Sequence, residues 1–402
     1  MDAKNNMDNR QPNLSVFRRL PLTCGLLAAL ALPLAQAVPV LEISRAQSHS
    51  ATAQALDAKA PFIERRADPW VIRDDDGSYY FIASVPEFDR IELRHAKTID
   101  GLRQATPKTL WRKHETGPMS IDIWAPELHK IDGRWYIYFA ASNKDVRFHN
   151  RMFVLGLEGD SPMTGQWQEL GKLQSAQDAF SLDATSFSLK GERYFIWAQQ
   201  DKAKRYNTGL VIAKMLSPTQ LSDNETIISE PLLDWERLGF KVNEGAAVLV
   251  KNGKVFVTYS ASATDDRYAM GLLWADENAN LMDPQSWHKL PEPVLQSCFE
   301  HKVYGPGHNS FTVSADGKTD LLVYHARTYT EIVGDPLWDP NRHTYVKALR
   351  WDEQGMALVS VTNFSPIPHE RQNSWPHRPG CPGDATRRHA GHHREGRHPG
   401  GF

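Results

Sequence analysis

The sequence predicts an all-β chain folded as a five-bladed β-propeller, and two observations predict it. Five segments share one pattern, a polar residue, an apolar strand, a glycine turn and a second strand rich in Tyr, Phe, Ile or Val. Between them there is little amphipathic helix. In order the segments are "ADPWVIRDDDGSYYFIAS" from Ala67, "APELHKIDGRWYIYFAAS" from Ala125, "LDATSFSLKGERYFIWAQ" from Leu182, "NEGAAVLVKNGKVFVTYSAS" from Asn243 and "GHNSFTVSADGKTDLLVYHA" from Gly307. Their leading polar residues, Asp68, Glu127, Asp183, Glu244 and His308, follow at intervals of 59, 56, 61 and 64 residues. A regular period built from hairpins marks a radial or stacked array, whereas a β-sandwich or jelly roll predicts less even spacing.

Each interval has room for a four-stranded sheet with its loops. Residues 91–96 ("IELRHA"), 209–213 ("GLVIA") and 271–274 ("GLLW") read as third strands. Five such sheets occupy residues 60–352. In a propeller the innermost strand of every blade lines the central channel, so the five polar leaders are expected to converge at one end of it.

The ends of the chain read differently. Arg18 and Arg19 precede an apolar stretch at 22–34, and Ala35-Gln36-Ala37 supplies a small-x-small cleavage pattern. That stretch is shorter than the ~20 residues needed to span a bilayer, so residues 1–37 are expected to be a signal peptide for export to the periplasm or the medium, with no stable span after cleavage. Residues 38–59 form a polar leader. Residues 353–402 form an atypical tail rich in Pro, Gly, His and Arg with almost no apolar periodicity, expected to be disordered. Its cluster at His389, His392 and His393 reads as composition rather than as a metal site.

Composition excludes some partners. The 46 basic and 48 acidic residues of the 402 leave a net charge of -2, with no basic field to recruit nucleic acid. Beyond the signal only Cys298 and Cys381 remain, too few for a disulfide framework, and no CxxC pair suggests zinc. The 12 Trp, 12 Tyr and 16 Phe suit thick β-packing or stacking on sugar rings.

Converging carboxylates suit glycosidic cleavage, in which one acid protonates the leaving oxygen while another activates water or attacks carbon. A third acid nearby pushes the other pKa values apart. The same oxygens could instead hold a hard cation such as calcium, although no EF-hand or zinc spacing supports a dedicated metalloenzyme.

"RADPWVIRDDDGSYYFIAS", "IWAPELHKIDGRWYIYFAAS", "LDATSF", "NEGAAVL" and "GPGHNSF", in this order over about residues 62–351, resemble glycoside hydrolase family 43. Within it they are most similar to exo-acting α-L-arabinofuranosidases that attack α-1,5-linked arabinan. The resemblance implies a five-bladed propeller and an inverting mechanism with three acids. Asp68 would be the general base that activates water, Asp183 would raise and orient the acid, and Glu244 would be the general acid. His308 matches a channel histidine beside which a water or an ion, often calcium, is common. The chemistry would need no cofactor. Glu127 would be a substrate-pocket acid or a buried hydrogen-bond partner. Trp70 and Trp124 would wall the arabinose subsite or pack the core. Arg327 resembles an arginine near the floor of the site, or would bridge strands through a carboxylate. Tyr304 is a further pocket candidate, and Phe88 would shape the entrance.

The activity so implied is release of L-arabinose from arabinan or arabino-oligosaccharides, with a β-xylosidase of the same family or a non-catalytic carbohydrate-binding propeller as alternatives. After Trp351 the chain departs from the family pattern, in which a final strand closes the last blade onto the first. No such strand is evident in the tail, so ring closure has no assigned segment.

Overall fold

The computed structural model describes residues 60–359. The expected signal at 1–37, the leader at 38–59 and the tail beyond 359 lie outside the described residues. The first sheet is β1 (Ala67–Arg73), β2 (Tyr79–Ser84), β3 (Arg90–Ala96) and β4 (Lys108–Arg112). The second is β5 (Ile121–Ile131), β6 (Arg134–Asn143), β7 (Val146–Glu158) and β8 (Gln166–Lys172). The third is β9 (Ser181–Leu189), β10 (Glu192–Gln199), β11 (Gly209–Ser217) and β12 (Gln220–Ser229). The fourth is β13 (Asn243–Lys251), β14 (Lys254–Ala261), β15 (Ala269–Asp276) and β16 (His288–Lys289). The fifth is β17 (Tyr304–Val313), β18 (Asp320–Arg327) and β19 (His343–Ala348), followed by a hairpin of β20 (Arg350–Trp351) and β21 (Ala357–Leu358). All neighbours are antiparallel and in sequence order, and the expected third strands are β3, β11 and β15. The hairpin carries ordered chain past the boundary expected at residue 352, and Ala357 is buried with Tyr324 and Leu349.

Alternation along the strands assembles the ring. A strand buried on both faces must be apolar at every position, with odd and even residues feeding different neighbours. On β10, Phe195 and Trp197 pack with Tyr138 and Val154 of the second blade. Ile196 and Ala198, one residue out of step, pack with Val255 and Val257 of the fourth. Five apolar clusters fill five seams in this way, including the one between last blade and first, where Val71 and Phe81 meet Val323 and Val346. Closure comes from the front of the chain. The Phe62 amide donates to the Thr344 carbonyl at 2.6 Å and the Thr344 amide to the Ile63 carbonyl at 2.8 Å, so residues 62–63 extend the outer edge of β19. Phe62 is buried in the seam and carries the Arg103 guanidinium 4.4 Å above its ring.

The innermost strands share a second regularity. Each contains a residue with left-handed backbone, Asp68, Ala125, Asp183, Gly245 or His308, with φ between 42° and 58°, and β5 and β17 contain a second, Asp122 and Gly305. At each the ladder slips, so that an extra residue bulges from the inner strand. This corrects the expected alignment of polar leaders. Asp68, Asp183 and His308 occupy the bulge, but Glu244 stands one residue before it and Glu127 two residues after it.

Candidate active site

A bulged residue's amide has no partner in its own ladder, and a buried amide needs one. Four of the five bulge amides find it on a side chain of the adjacent blade. The Asp68 amide donates to His325 Nδ1 at 3.0 Å, and that of Ala125 to Ser84 Oγ at 2.8 Å. The Gly245 amide donates to Asp183 Oδ2 at 3.0 Å, and that of His308 to Ser260 Oγ at 2.7 Å. Gly245 is required here by more than its φ of 58°, because a Cβ would come within 2.9 Å of His308 Cγ.

These cross-ties bring three carboxylates to the wall of one cavity of about 470 Å³. Asp68 comes from the first blade, Asp183 from the third and Glu244 from the fourth, and His308 and Trp124 also line the cavity. Asp68 Oδ2 accepts from Ser84 Oγ at 2.6 Å. Its Oδ1 lies 3.2 Å from His308 Nδ1, 3.3 Å from His325 Nδ1 and 3.5 Å from Arg342 Nη1. Because His325 Nδ1 already accepts the Asp68 amide, that ring is the Nε2–H tautomer and does not donate to the carboxylate through Nδ1. Burial opposes the charge on Asp68, but His308 and Arg342 outweigh it and hold its pKa well below the usual carboxylate range.

The other two acids shift the opposite way. Burial, then the charges of Glu244 and Asp68, push Asp183 well above its ordinary value, against the Gly245 amide and Arg342. Burial pushes Glu244 up to about 7, assisted by Asp68 and opposed by the Tyr268 hydroxyl, which donates to Oε1 at 2.9 Å, and by Arg342. Like charges crowded out of water resist ionising together, so protonation is favoured at Asp183 and Glu244 while Asp68 remains charged. One cavity therefore contains a fixed carboxylate, a protonatable acid and a third group coupled to it.

The remaining expected residues divide. Trp124 lines the cavity, edge-on to Phe88 at 6.0 Å. Phe88 does not line it and packs in a triangle of rings with Trp124 and Trp338, the latter 5.7 Å from Phe88 and 6.3 Å from Trp124. Trp70 lies between the first and second blades, donating from Nε1 to the Leu128 carbonyl at 2.8 Å and tilted on His129. Glu127 is buried and 2.8 Å from His129 Nε2. Burial raises the acid well above its ordinary value and lowers the imidazole to about 3, so burial disfavours charge on both partners of this hydrogen bond, which lies away from the cavity wall. Tyr304 faces Arg327 across the β17–β18 ladder and packs on Phe299. Arg327 is fully buried and bridges to a carboxylate, donating from Nε to Asp339 Oδ1 at 3.1 Å and from Nη2 to the Pro336 carbonyl at 2.7 Å. It thereby anchors the β18–β19 loop, whose Asp335 and Leu337 do line the cavity.

His308 faces carboxylates on two sides, with Asp183 Oδ2 3.7 Å from the same Nδ1. Among the described residues no three His, Cys, Asp or Glu side chains are grouped to hold a metal ion.

Several lining residues carried no motif. Thr208, Tyr268 and Arg342 each immediately precede the third strand of a blade. Aligning the repeats on that strand as well as on the first would have exposed all three. Phe148 and Phe240 also line the cavity and had no signal of their own.

Residues 58–357 match the model of glycosyl hydrolases family 43. The chain is 50% identical over 295 residues to an extracellular exo-α-(1→5)-L-arabinofuranosidase of Streptomyces avermitilis, covering 73% of this chain and 61% of that protein. It is 51% identical over 294 residues to α-L-arabinofuranosidase 43 of Humicola insolens, with the same two coverages. A crystal structure of an α-L-arabinofuranosidase from Lactobacillus brevis superposes with a TM-score of 0.74 at 48% identity, over 80% of this chain and 99% of that one. The chain thus spans about three fifths of the length of the first two relatives. It belongs to glycosyl hydrolases family 43.

Proposed function

We propose, with that membership as premise, that the protein is an exported, inverting exo-α-L-arabinofuranosidase that releases L-arabinose from α-1,5-linked arabinan or arabino-oligosaccharides. The observation that carries the reading is the set of three carboxylates from three blades in one cavity, one held ionised and one with its pKa raised to about 7. Glu244, protonated, gives its proton to the glycosidic oxygen as the C1–O bond breaks. Asp68, charged, takes a proton from the water that attacks C1 from the opposite face. Asp183 accepts from the Gly245 amide and is coupled to Glu244 by like charge, so the two acids resist ionising together. A cavity lined from all five blades suits capture of a chain end. The names of the relatives support the substrate class and the extracellular location.

Linear α-1,5-arabinan followed by proton NMR from the first minutes tests this. Release of single arabinose units, appearing first as the β-anomer, is the expected result. A first-formed α-anomer would overturn inversion, and turnover of an aryl xyloside with none of the arabinoside would overturn the substrate class.

A further inference from the structure

We infer that Phe148 and Phe240 form the subsite for the leaving-group side of the substrate, stacking on the arabinofuranosyl unit next to the one released. This rests on the arabinan-cleaving reading above. Both phenyl rings line the cavity that holds the three acids, yet they are 50% and 55% exposed. A single exposed Phe needs no explanation, but two from different blades on the wall of the same acid-bearing cavity call for an occupant. The sugar to be cleaved must reach the acids, so its neighbour in the chain lies outward, where exposed aromatic faces remain. A furanose ring offers C–H surface to such faces, and stacking there places an apolar ring against it without burying a hydroxyl.

The backbone holds both rings in place. Phe148, near the start of β7, has a φ of 59°, a left-handed conformation costly for a bulky residue and maintained only where its surroundings over-determine it. The Arg147 guanidinium lies 5.6 Å from the Phe148 ring and 4.3 Å from that of Trp338, tying the β6–β7 hairpin to the β18–β19 loop. Phe240 sits on the loop between the third and fourth blades, pinned on both sides. Upstream, the fully buried Glu236 accepts from the Leu233 amide at 2.8 Å, from Tyr259 Oη at 2.8 Å and from Asn243 Nδ2 at 3.1 Å, and pairs with Lys289. Downstream, Asn207 and Lys241 exchange hydrogen bonds at 2.9 and 3.1 Å. An exposed aromatic on a fixed loop is preorganised and loses little freedom when a sugar stacks on it.

The test compares two substrates that share the released sugar. Arabinotriose presents a sugar on the leaving side, while α-L-arabinofuranosyl fluoride presents one atom. In Phe148→Ala and in Phe240→Ala, the ratio of kcat/KM for arabinotriose to that for the fluoride should fall by roughly three- to tenfold, the worth of one aromatic stack. Phe148→Tyr should restore the ratio, which a merely structural role would not require. A ratio within 1.5-fold of wild type in both alanine variants, or equal losses on both substrates, overturns the subsite. A wild-type protein inert toward both substrates overturns the arabinofuranosidase reading and this one with it.

Discussion

Tyr268→Phe is the most informative single substitution, because it changes one hydrogen bond to the proposed acid and little else. The phenol donates to Glu244 Oε1 at 2.9 Å. Its own pKa is raised well above the ordinary value, by burial first and then by Glu244, Asp183 and Asp68, so it remains a donor across the working range. The ring stays under Phe, since it stacks on His325 at 5.6 Å and 9° and packs so close to Gly307 that a Cβ there would lie 2.5 Å from Cε1. A hydrogen bond to a charged carboxylate is worth ~1.5–3 kcal/mol and one to a neutral acid ~0.5–1.5. The hydroxyl therefore favours the ionised form by about 1 kcal/mol, and its loss should raise the Glu244 pKa by roughly 0.5 to 1 unit at 1.36 kcal/mol per unit. The groups facing Glu244 that set the baseline are Asp68, Asp183 and Arg342. The assay is kcat/KM against pH on arabinobiose, a poor leaving group that needs the proton. The alkaline limb, near pH 7 in the wild type, should move upward by that amount while the acid limb stays. Stability gives an independent arm. A folded-state pKa raised from 4.5 to about 7 stabilises the fold fully below pH 4.5, and that stabilisation is lost as the pH rises through 7. In the variant this decline should extend to higher pH in thermal melts. An alkaline limb that stays put or moves down would refute the argument that Tyr268 tunes this acid.

Three other substitutions probe different links. Glu244→Gln should lower kcat/KM on arabinobiose by about 10²- to 10⁴-fold while sparing the fluoride, whose leaving group needs no proton, and comparable losses on both would reject the general-acid role. Phe62→Ala removes a buried ring from the seam between last and first blades and should cost ~3–5 kcal/mol in urea unfolding; a loss below ~1 would mean that residues 62–63 do not close the ring. Gly245→Ala forces a Cβ to within 2.9 Å of His308 at a φ of 58°, so kcat should drop about 100-fold with circular dichroism unchanged, and full activity would show the crowding to be relieved elsewhere.

The architecture is readable because each blade advertises itself twice, by a glycine turn and by the run of Tyr, Phe, Ile or Val in the strand after it. The three acids are readable because they recur near the head of the first strand. The alignment of those heads is not, since alternation counted from a glycine turn carries no trace of an extra residue farther up the strand. Ala125 shows the difficulty: it occupies the bulge of the second blade, while Glu127, the only acid nearby in "APELH", looks like the equivalent of the other leaders. Aromatic side chains mislead for another reason. Trp70 and Phe88 are conspicuous in sequence but pack into the ring, Trp70 half-buried and Phe88 buried, whereas Phe148 in "VRFHN" and Phe240 in "LGFKV" sit among polar residues that read as ordinary loop. Closure through Phe62 and Ile63 is invisible in the sequence because a two-residue edge has no period.

The site and the ring share one cause. Five strands crowding an axis bulge at the same point, each bulge frees an amide, and the adjacent blade satisfies four of the five. Short polar side chains suffice at two seams, Ser84 and Ser260. At two others the acceptors are Asp183, an acid coupled to Glu244, and His325, which stands 3.3 Å from the Asp68 carboxylate. The hydrogen bonds that hold the blades in register are thus the ones that fix the relative positions and ionisation of the acids. A substitution at Asp183 acts on both at once, so its effect on turnover cannot be assigned to charge alone unless the Gly245 contact is preserved, as an asparagine carbonyl at that position would preserve it.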